Sequence, residues 1–517
     1  MDWGAKPLAH RPLLGGVAIV VYLACAKLLA HVLTAGNYGF YRDELYFVAA
    51  SKHLDFGYVD FPPLVAVVTA LARWMFGDSA SALQFFPALA SAGVVVLAGL
   101  MARELGGGRF AQGIAALATL VAPNILVFGT WLSMDAFDQF NWALASYALI
   151  LVFKRGRPRL WLLFGLVAGV GLLTKVTILF LGFAVFASLL LTPARRHLLT
   201  PWPWLGGAVA LVFLLPYLYW QVTNGWPTLE FWGNYGGKLA PDSIGEFLLE
   251  QVLTMNPVTL PVWAAGLYYY LFSREGRPYR VFGFVFVILF AIFAFQNAKF
   301  YFLTPAYPML FAAGGLTIER FIRLHEWNWL KPAYASLLLA VGVFVAVLSV
   351  LPVLPVEAVA KTTGLVGGNA GIESEARKTG DLPQTFAFRH GWEDMVETIA
   401  GVHDSLPDEE RTVSCILAGD FGEAGAVDFF GPAYGLPRAI SGHNNYYLWG
   451  PGGCSGEVVI SVGVPLERLE AVFEDIEHAD TVTCEYCMPI ENDLPVYVAR
   501  NPKIPFDEAW PQFKHFN

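Results

Sequence analysis

An apolar run followed by an acid pair decides the fold: residues 12–35 read PLLGGVAIVVYLACAKLLAHVLTA, and residues 36–44 read GNYGFYRDE. About 20 apolar residues suffice to cross a bilayer as a helix, so residues 12–35 predict a membrane span. Asp43 and Glu44 come just after it. Carboxylates held beside lipid are costly and usually mark a function. The loop that follows contains a Pro-Pro pair in residues 57–64, GYVDFPPL.

The composition extends the membrane prediction beyond this first segment. The 517 residues are 56% hydrophobic and only 15% charged, which excludes an ordinary soluble enzyme. We predict a polytopic α-helical membrane protein with about eleven transmembrane helices, and an interfacial helix at residues 62–76. The predicted spans are 12–35, 81–102, 110–129, 131–153, 160–174, 176–192, 203–220, 249–273, 280–296, 300–317 and 333–355.

Charge divides the chain into two parts. Residues 1–356 carry 23 Lys and Arg against 16 Asp and Glu, whereas residues 357–517 carry 10 against 26. The basic loops between predicted spans fall on one side, which the positive-inside rule makes cytoplasmic. We therefore predict a membrane domain, residues 1–356, and an acidic domain, residues 357–517, outside, together with the loops 36–80 and 221–248. A basic membrane part suits phosphate ligands and anionic lipids, and nothing indicates nucleic acid.

The acidic part alternates between strand and helix patterns. Strand-like segments lie at 412–417, 456–462 and 481–484, and amphipathic helices are expected at 391–405 and 465–478. This pattern predicts a small soluble α/β or α+β domain.

Two further features of the acidic part stand out. Cys484 and Cys487 form a CxxC pair, which leaves open a local disulfide or an incidental pair of thiols. Residues 420–425 and 441–451 are notable as well, and the second segment is dense in Asn, Tyr, Trp and His. That mixture is typical of a carbohydrate surface, although an ordered aromatic turn fits it equally.

Four carboxylates near the predicted outer face are candidates for chemistry. We predict that Asp43 acts as a general base, which takes a proton from an acceptor hydroxyl. Glu44 would orient the acceptor or bind a cation. Asp135 and Asp138 are three residues apart, so they share one helix face. The alternative for Asp43 and Glu44 is a loop pair that binds a helix N-terminus or a surface Arg. For Asp135 and Asp138 it is a capping or first-turn role stabilised by the helix dipole.

Cations of the same predicted face form the second candidate group. Lys175 lies between two short apolar runs, Lys299 and Tyr301 begin another span, and Arg42 adjoins Asp43. Each alone fits a snorkelling anchor. As a set, they predict a site for a lipid phosphate.

Together these residues resemble the bacterial branch of the GT-C membrane glycosyltransferases. That branch contains dolichyl-phosphate-mannose–protein mannosyltransferase-like enzymes, aminoarabinose transferases acting on lipid A and rhizobial galacturonosyltransferases. The resemblance covers about residues 10–350. Its marks are Asp43-Glu44, Pro62-Pro63-Leu64, Asp135, Thr174-Lys175, Lys299-Phe300-Tyr301, the segment 305–308 and the segment 216–228.

The resemblance implies a polyprenyl-phosphate sugar donor, an inverting single displacement, and a periplasmic active site in the bacterial inner membrane. Asp43 corresponds to the family's base and Asp135 to its second acid, whereas Lys175, Lys299 and Tyr301 correspond to residues that meet the donor phosphate. The acceptor would be a glycan, a lipid or a protein. No cofactor is required, and a divalent cation stays open.

One departure from the family pattern affects the donor site. Many relatives carry a Lys before the Pro-Pro pair, where this chain has Asp60-Phe61. This departure leaves the geometry of the donor phosphate open and is compatible with a different donor or a different acceptor.

Two other functions fit a membrane protein of this composition. A transporter or flippase of a lipid-linked or anionic solute is the first, but transporters place polar residues near the bilayer midplane, whereas these charges gather at one face. A scaffold whose acidic tail binds a partner is the second, and it leaves Asp43, Asp135 and Lys175 unexplained.

Overall fold

The computed structural model describes residues 15–235, 243–366 and 380–517. Helices make up nearly all of the first part, as the long apolar runs predict. They are Gly16–Thr34, Arg42–Lys52, Leu64–Phe76, Ala80–Glu104, Arg109–Val121, Pro123–Val127, Met134–Arg155, Leu160–Leu172, Ile178–Leu191, Pro201–Thr223, Pro227–Tyr235, Ile244–Thr254, Leu260–Leu271, Arg280–Phe295, Tyr307–Leu324, Leu330–Val345 and Val356–Val366.

Within the described residues, six helices are long and apolar enough to cross a membrane, or seven if a bent pair of helices counts as one span. The bent pair joins Ile178–Leu191 to Pro193–Leu199 at 112°. The six are Gly16–Thr34, Ala80–Glu104, Met134–Arg155, Pro201–Thr223, Arg277–Phe295 and Leu330–Val350.

Each predicted span coincides with helical structure, but the predicted count of eleven is not confirmed because several segments are short or broken. The segment 110–129 divides before Pro123, which has no backbone N–H to continue the helical ladder. The segment 249–273 divides at Asn256, whose φ of 68° leaves the helical region. A helix also forms at Leu64–Phe76, close to the segment 62–76 expected to lie at the interface.

The C-terminal part contains a five-stranded mixed sheet of order β2-β1-β3-β5-β4. Strands β2, β1 and β3 are parallel, and β5 runs antiparallel to both β3 and β4. The strands are β1 Ser414–Ala418, β2 Ala439–Ser441, β3 Val458–Val462, β4 Phe473–Val482 and β5 Leu494–Pro502. The helices around them are Gln384–Ala387, Trp392–Ser405, Asp408–Val413, Phe421–Phe430, Asn444–Trp449, Leu466–Val472 and Phe506–Ala509.

All three strand predictions fall on strands, with 481–484 overlapping the end of β4, and the helix predicted at 391–405 forms as Trp392–Ser405, whereas the other predicted helix is too long. Segments 412–417 and 456–462 correspond to β1 and β3. The helix expected at 465–478 ends at Val472, because the residues after it pair with β5 as an edge strand. Pairing and packing can override a helical pattern in this way.

The C-terminal domain packs directly on the segment 36–80, which follows the first membrane-length helix. Helix Phe421–Phe430 lies against helix Arg42–Lys52, where a Cβ on Gly425 would come within 2.8 Å of the Leu45 backbone. Asn445 accepts a hydrogen bond from the Val59 amide at 2.6 Å. Because the two parts share a buried core, the C-terminal domain helps to position the helix that carries Asp43.

The disulfide of this domain joins two cysteines outside the CxxC pair. Cys415 and Cys454 form a disulfide that joins β1 to the loop before β3. Cys484 and Cys487 are free thiols. Of the two alternatives for the CxxC pair, the structure therefore shows thiols.

Candidate active site

A cavity of about 1240 Å³ lies between the membrane helices and the C-terminal domain. It brings together six of the eight residues that the sequence marked as catalytic or substrate-binding. These six are Arg42, Asp43, Asp135, Lys175, Lys299 and Tyr301.

One side of the cavity, here called the lysine end, is formed by Asp135, Lys175, Lys299, Tyr301 and Phe302. Lys175 Nζ donates a hydrogen bond of 2.6 Å to Asp135 Oδ1. Its ammonium lies 5.4 Å from the Tyr301 ring centre and 5.0 Å from that of Phe302, and Lys299 lies 5.6 Å from the Tyr301 ring. Two ammonium groups beside the same aromatic ring, one of them paired with Asp135, form a site suited to an anion.

The backbone explains how the lysine end is assembled. Ser133 caps the helix Met134–Arg155 and accepts a hydrogen bond from the Asp135 amide at 3.2 Å, which fixes Asp135 in the first turn. Lys175 lies in the short turn between the helices Leu160–Leu172 and Ile178–Leu191. From this turn its side chain reaches the carboxylate of Asp135.

A second group of lining residues, here called the domain end, consists of Arg42, Asp43, Asp60, Phe421, His443 and Asn444. Asp43 lies in the first turn of its helix, and its Oδ1 is 3.5 Å from Arg42 Nε. The Arg42 guanidinium stacks over Phe388 at 4.5 Å and over Phe421 at 5.0 Å, both from the C-terminal domain. The C-terminal domain therefore closes this end of the cavity and restrains the cation next to Asp43.

Asp60 adds a second carboxylate to the domain end. Tyr46 Oη donates a 3.0 Å hydrogen bond to Asp60 Oδ1. Burial, with a smaller contribution from the nearby Asp43, raises the pKa of Asp60 to about 7. A carboxyl group in this state exchanges a proton near neutral pH and can hydrogen-bond a sugar hydroxyl as donor or acceptor.

His443 and Asn444 complete the domain end from the C-terminal domain. Burial lowers the pKa of His443, so the ring is neutral at pH 7 and does not attract an anion by charge. Asn444 is fully buried with a φ of 46°, an uncommon conformation that places its amide at the cavity wall.

Glu44 and Asp138 are not among the residues that line the cavity in the described part of the chain. Glu44 is buried and accepts hydrogen bonds from the amides of Tyr41 (2.8 Å) and Leu132 (2.7 Å) and from Gln84 Nε2 (3.2 Å). Burial raises the pKa of Glu44 to about 7. It therefore joins the Asp43 helix to the turn before Asp135, which is a positioning role rather than the predicted contact with substrate.

Asp138 lies one helical turn below Asp135. Its side chain is buried, and its Oδ2 accepts a 3.0 Å hydrogen bond from Thr177 Oγ1. Because Thr177 follows Lys175 in the same turn, this bond fixes the segment that carries the lysine. The structure thus supports the helix N-terminus alternative for Glu44 and a structural role for Asp138.

One wall of the cavity is apolar. Phe183 is 57% exposed and Leu179 50% exposed, and both belong to the helix that follows Lys175. Six apolar side chains form this wall: Leu179, Phe180, Phe183, Phe231, Trp232 and Ile292. An apolar wall next to the lysine end suits a hydrocarbon chain attached to an anion.

Sequence reasoning missed Asp60, His443 and Asn444 as site residues. Asp60 was noted as a departure from the family pattern, and the other two lie in the segment 441–451 that was marked by its amides and aromatic rings. The missing information was that the C-terminal domain folds over the first loop. Among the described residues, no group of three or more His, Cys, Asp or Glu side chains is placed to hold a metal ion.

Comparison with protein families and curated sequences agrees with this geometry. The model of the family described as dolichyl-phosphate-mannose-protein mannosyltransferase matches residues 60–220. The lipid A galacturonosyltransferase RgtD of Rhizobium johnstonii is 28% identical over 227 residues, which cover 42% of this chain and 47% of RgtD. The chain thus matches about half the length of this curated relative.

Solved structures extend the likeness to nearly the whole chain. ArnT from Cupriavidus metallidurans in the apo state matches with a TM-score of 0.58 and 16% identity, over 93% of this chain and 97% of ArnT. The same enzyme bound to undecaprenyl phosphate matches with a TM-score of 0.57 over the same shares. At this identity the match shows a common fold. Fold and sequence together confirm the resemblance of this chain to the GT-C membrane glycosyltransferases.

Proposed function

We propose that the protein transfers a sugar from a polyprenyl-phosphate-linked donor to a cell-envelope acceptor at the periplasmic face of a bacterial inner membrane. The observation that carries this proposal is a single cavity in which a carboxylate, Asp43, and two lysines, Lys175 and Lys299, lie beside an apolar wall. A lipid-linked sugar phosphate needs these three elements together.

The donor would occupy the lysine end. Its polyprenyl chain would lie against the apolar wall, and its phosphate would meet Lys175 and Lys299. As the bond from the anomeric carbon to the phosphate oxygen breaks, negative charge grows on the phosphate. Cations already in place stabilise that charge and make polyprenyl phosphate a better leaving group.

The acceptor would occupy the domain end. Asp43 would remove the proton from the attacking hydroxyl as its oxygen bonds to the anomeric carbon. A single displacement of this kind inverts the configuration at that carbon. Asp60 and Asn444 would hold neighbouring hydroxyl groups, which orients the acceptor for attack.

The comparisons support the lipid carrier in this proposal. ArnT was solved with undecaprenyl phosphate, and RgtD is a lipid A galacturonosyltransferase by its name. The ligand of the ArnT structure is thus a polyprenyl phosphate, and the substrate named for RgtD is an envelope lipid. They favour a polyprenyl-phosphate donor and an envelope acceptor for this chain as well.

Two observations support the periplasmic side. The disulfide between Cys415 and Cys454 suits an oxidising compartment. The basic loops between the helices are expected on the opposite, cytoplasmic side. Transport fits less well, because the cavity charges gather beneath a folded domain that closes one end.

Single-turnover assay of the purified full-length protein tests this function. Incubation with a radiolabelled polyprenyl-phosphate sugar and an envelope extract should release polyprenyl phosphate and label the acceptor. Asp43→Asn should abolish both without loss of donor binding. Transfer at the wild-type rate by Asp43→Asn would remove Asp43 as the base, and absence of any release by the wild type would reject the function.

A further inference from the structure

A second cavity, of about 530 Å³, lies where the first outer loop meets the C-terminal domain. Its ionisable lining residues within the described chain include His53 and Arg438, and no Asp or Glu is among them. This absence is informative, because residues 357–517 carry 26 acidic residues against 10 basic ones. The charged group that the lining presents is therefore Arg438, and the Asp428 carboxylate behind the lining is close enough to interact with it.

Aromatic rings form a rigid floor beside the cation. The His53 ring stacks on Trp449 with centres 4.4 Å apart, and Trp449 packs edge-on against Tyr446 at 4.8 Å. Arg438 Nη2 lies 3.2 Å from His53 Nε2. A guanidinium has five N–H donors, so this contact leaves most of the planar fork for a carboxylate or phosphate.

A glycine-rich loop forms another side. Gly450, Gly452 and Gly453 line the cavity, and all three have positive φ angles that favour glycine. Without side chains, this stretch lets a ligand approach the backbone closely. The disulfide of Cys454 to Cys415 anchors the end of the loop, which reduces the entropy lost when a ligand binds.

One helix connects the two cavities. Helix Arg42–Lys52 has Asp43 in its first turn, at the larger cavity, and His53 directly follows its last residue, at the second. Eleven residues at 1.5 Å each give a separation of about 16 Å. A glycan of a few residues attached at the larger cavity could reach the second.

We propose that the second cavity binds an acidic sugar residue of the acceptor, whose ring contacts the Trp449 side chain and whose carboxylate or phosphate pairs with Arg438. An apolar aromatic face with few placed polar groups is the usual composition of such a pocket. The assignment of this sugar to the acceptor rests on the proposed glycosyl transfer.

Binding of simple probes to the purified full-length protein tests the proposal. Calorimetric titration with glucuronic acid, glucose 6-phosphate and glucose should show binding of at least one acidic sugar and roughly 10-fold weaker binding of glucose. The tighter of the two acidic probes identifies the anion. Arg438→Met should weaken acidic-sugar binding by about 10-fold or more. Arg468→Met is the matched control, because Arg468 is also exposed beside a histidine, His515.

Two outcomes would overturn the site: equal binding of glucose and the acidic sugars, or equal binding by wild type and Arg438→Met. Transfer assays separate this result from the proposed function. Asp43→Asn should keep acidic-sugar binding while losing transfer. Arg438→Met should raise KM for an acidic acceptor with kcat unchanged. Normal transfer without acidic-sugar binding would reject the second site alone, and binding without transfer would reject the function and the acceptor assignment.

Discussion

Both ends of the large cavity hold an aspartate beside a cation, but the two pairs differ in geometry. Asp135 and Lys175 are joined at 2.6 Å, with side chains only 17% and 13% exposed. Asp43 and Arg42 are 3.5 Å apart, and the Asp43 side chain is 33% exposed. The first pair is a fixed unit in which the acid orients a lysine. In the second pair the carboxylate of Asp43 is more accessible. A general base needs this accessibility, because it must reach the hydroxyl of the acceptor.

The largest effect is expected from a substitution at the domain end. Asp43→Asn should lower single-turnover transfer by about 100- to 10,000-fold, the range of general-base catalysis, because the amide cannot accept the hydroxyl proton. Donor binding, measured by equilibrium titration with polyprenyl phosphate, should stay within about twofold of wild type because the lysine end is intact.

Asp78→Asn is the control for this substitution. Asp78 is exposed on the same outer loop and pairs with Arg73, a surface contact of small energetic value. Its transfer rate should equal that of wild type. Equal losses for both variants would mean that the loop, and not the base, had been damaged.

The lysine end is tested by a double-mutant cycle. Lys175→Met should weaken polyprenyl-phosphate binding by about 10- to 100-fold, because it removes one charged contact to the phosphate. Asp135→Asn should weaken binding in the wild type but have little further effect in the Lys175→Met protein, since its role is to orient that lysine. Additive effects measured by donor titration would show that Asp135 contacts the substrate independently.

A smaller effect is expected from a substitution of Asn444, which the C-terminal domain contributes to the cavity lining. Asn444→Ala should raise KM for the acceptor by about 5- to 10-fold while donor binding is unchanged, because it removes one neutral hydrogen-bonding group. Asn501→Ala is matched to it, since Asn501 has a similar φ of 56° on β5, and its kinetics should be those of wild type. A change in donor affinity for Asn444→Ala would contradict the division into two ends.

The smallest expected effect concerns Glu44 and stability. Its folded pKa of about 7 exceeds the ordinary glutamate value of 4.5, so folding takes up a proton between these pH values. The contribution of Glu44 to stability therefore falls as pH rises from about 4.5 to 7 and is constant above that. Glu44→Gln does not titrate, although it loses an acceptor for the amides of Tyr41 and Leu132.

Thermal unfolding in detergent measures this difference. The Tm deficit of Glu44→Gln should narrow between pH 4.5 and 7 and then stay level. Lys299 and other cavity cations are unaffected by this substitution, so phosphate binding should be kept. A deficit that widens with pH would mean that Glu44 is ionised in the folded protein.

The sequence predicted the membrane half well because its signals are local. Apolar length located the helices, and charged residues at their ends marked Asp43, Asp135, Lys175 and Lys299, which the structure places in one cavity. The span count could not be obtained in the same way. Whether a short apolar helix crosses the bilayer depends on its neighbours and not on its own composition.

The domain end was harder to predict because it depends on contacts distant in sequence. Asn445 bonds to Val59, 386 residues earlier, and this docking brings Asn444 to the cavity. A motif search treats each segment separately. It could therefore identify the aromatic and amide residues, but it could not predict that they line the cavity. Glu44 is the opposite case. Its position beside Asp43 suggested a contact with substrate, but its carboxylate accepts hydrogen bonds from the amides of Tyr41 and Leu132.

The most direct test is an electron cryomicroscopy structure of the full-length protein with polyprenyl phosphate bound. The phosphate should lie within about 4 Å of Lys175 or Lys299, and the isoprenoid chain should run along Leu179 and Phe183, with Asp43 facing the vacant sugar position. A phosphate bound instead beside Arg42 and His443, or a lipid outside the cavity, would contradict this arrangement.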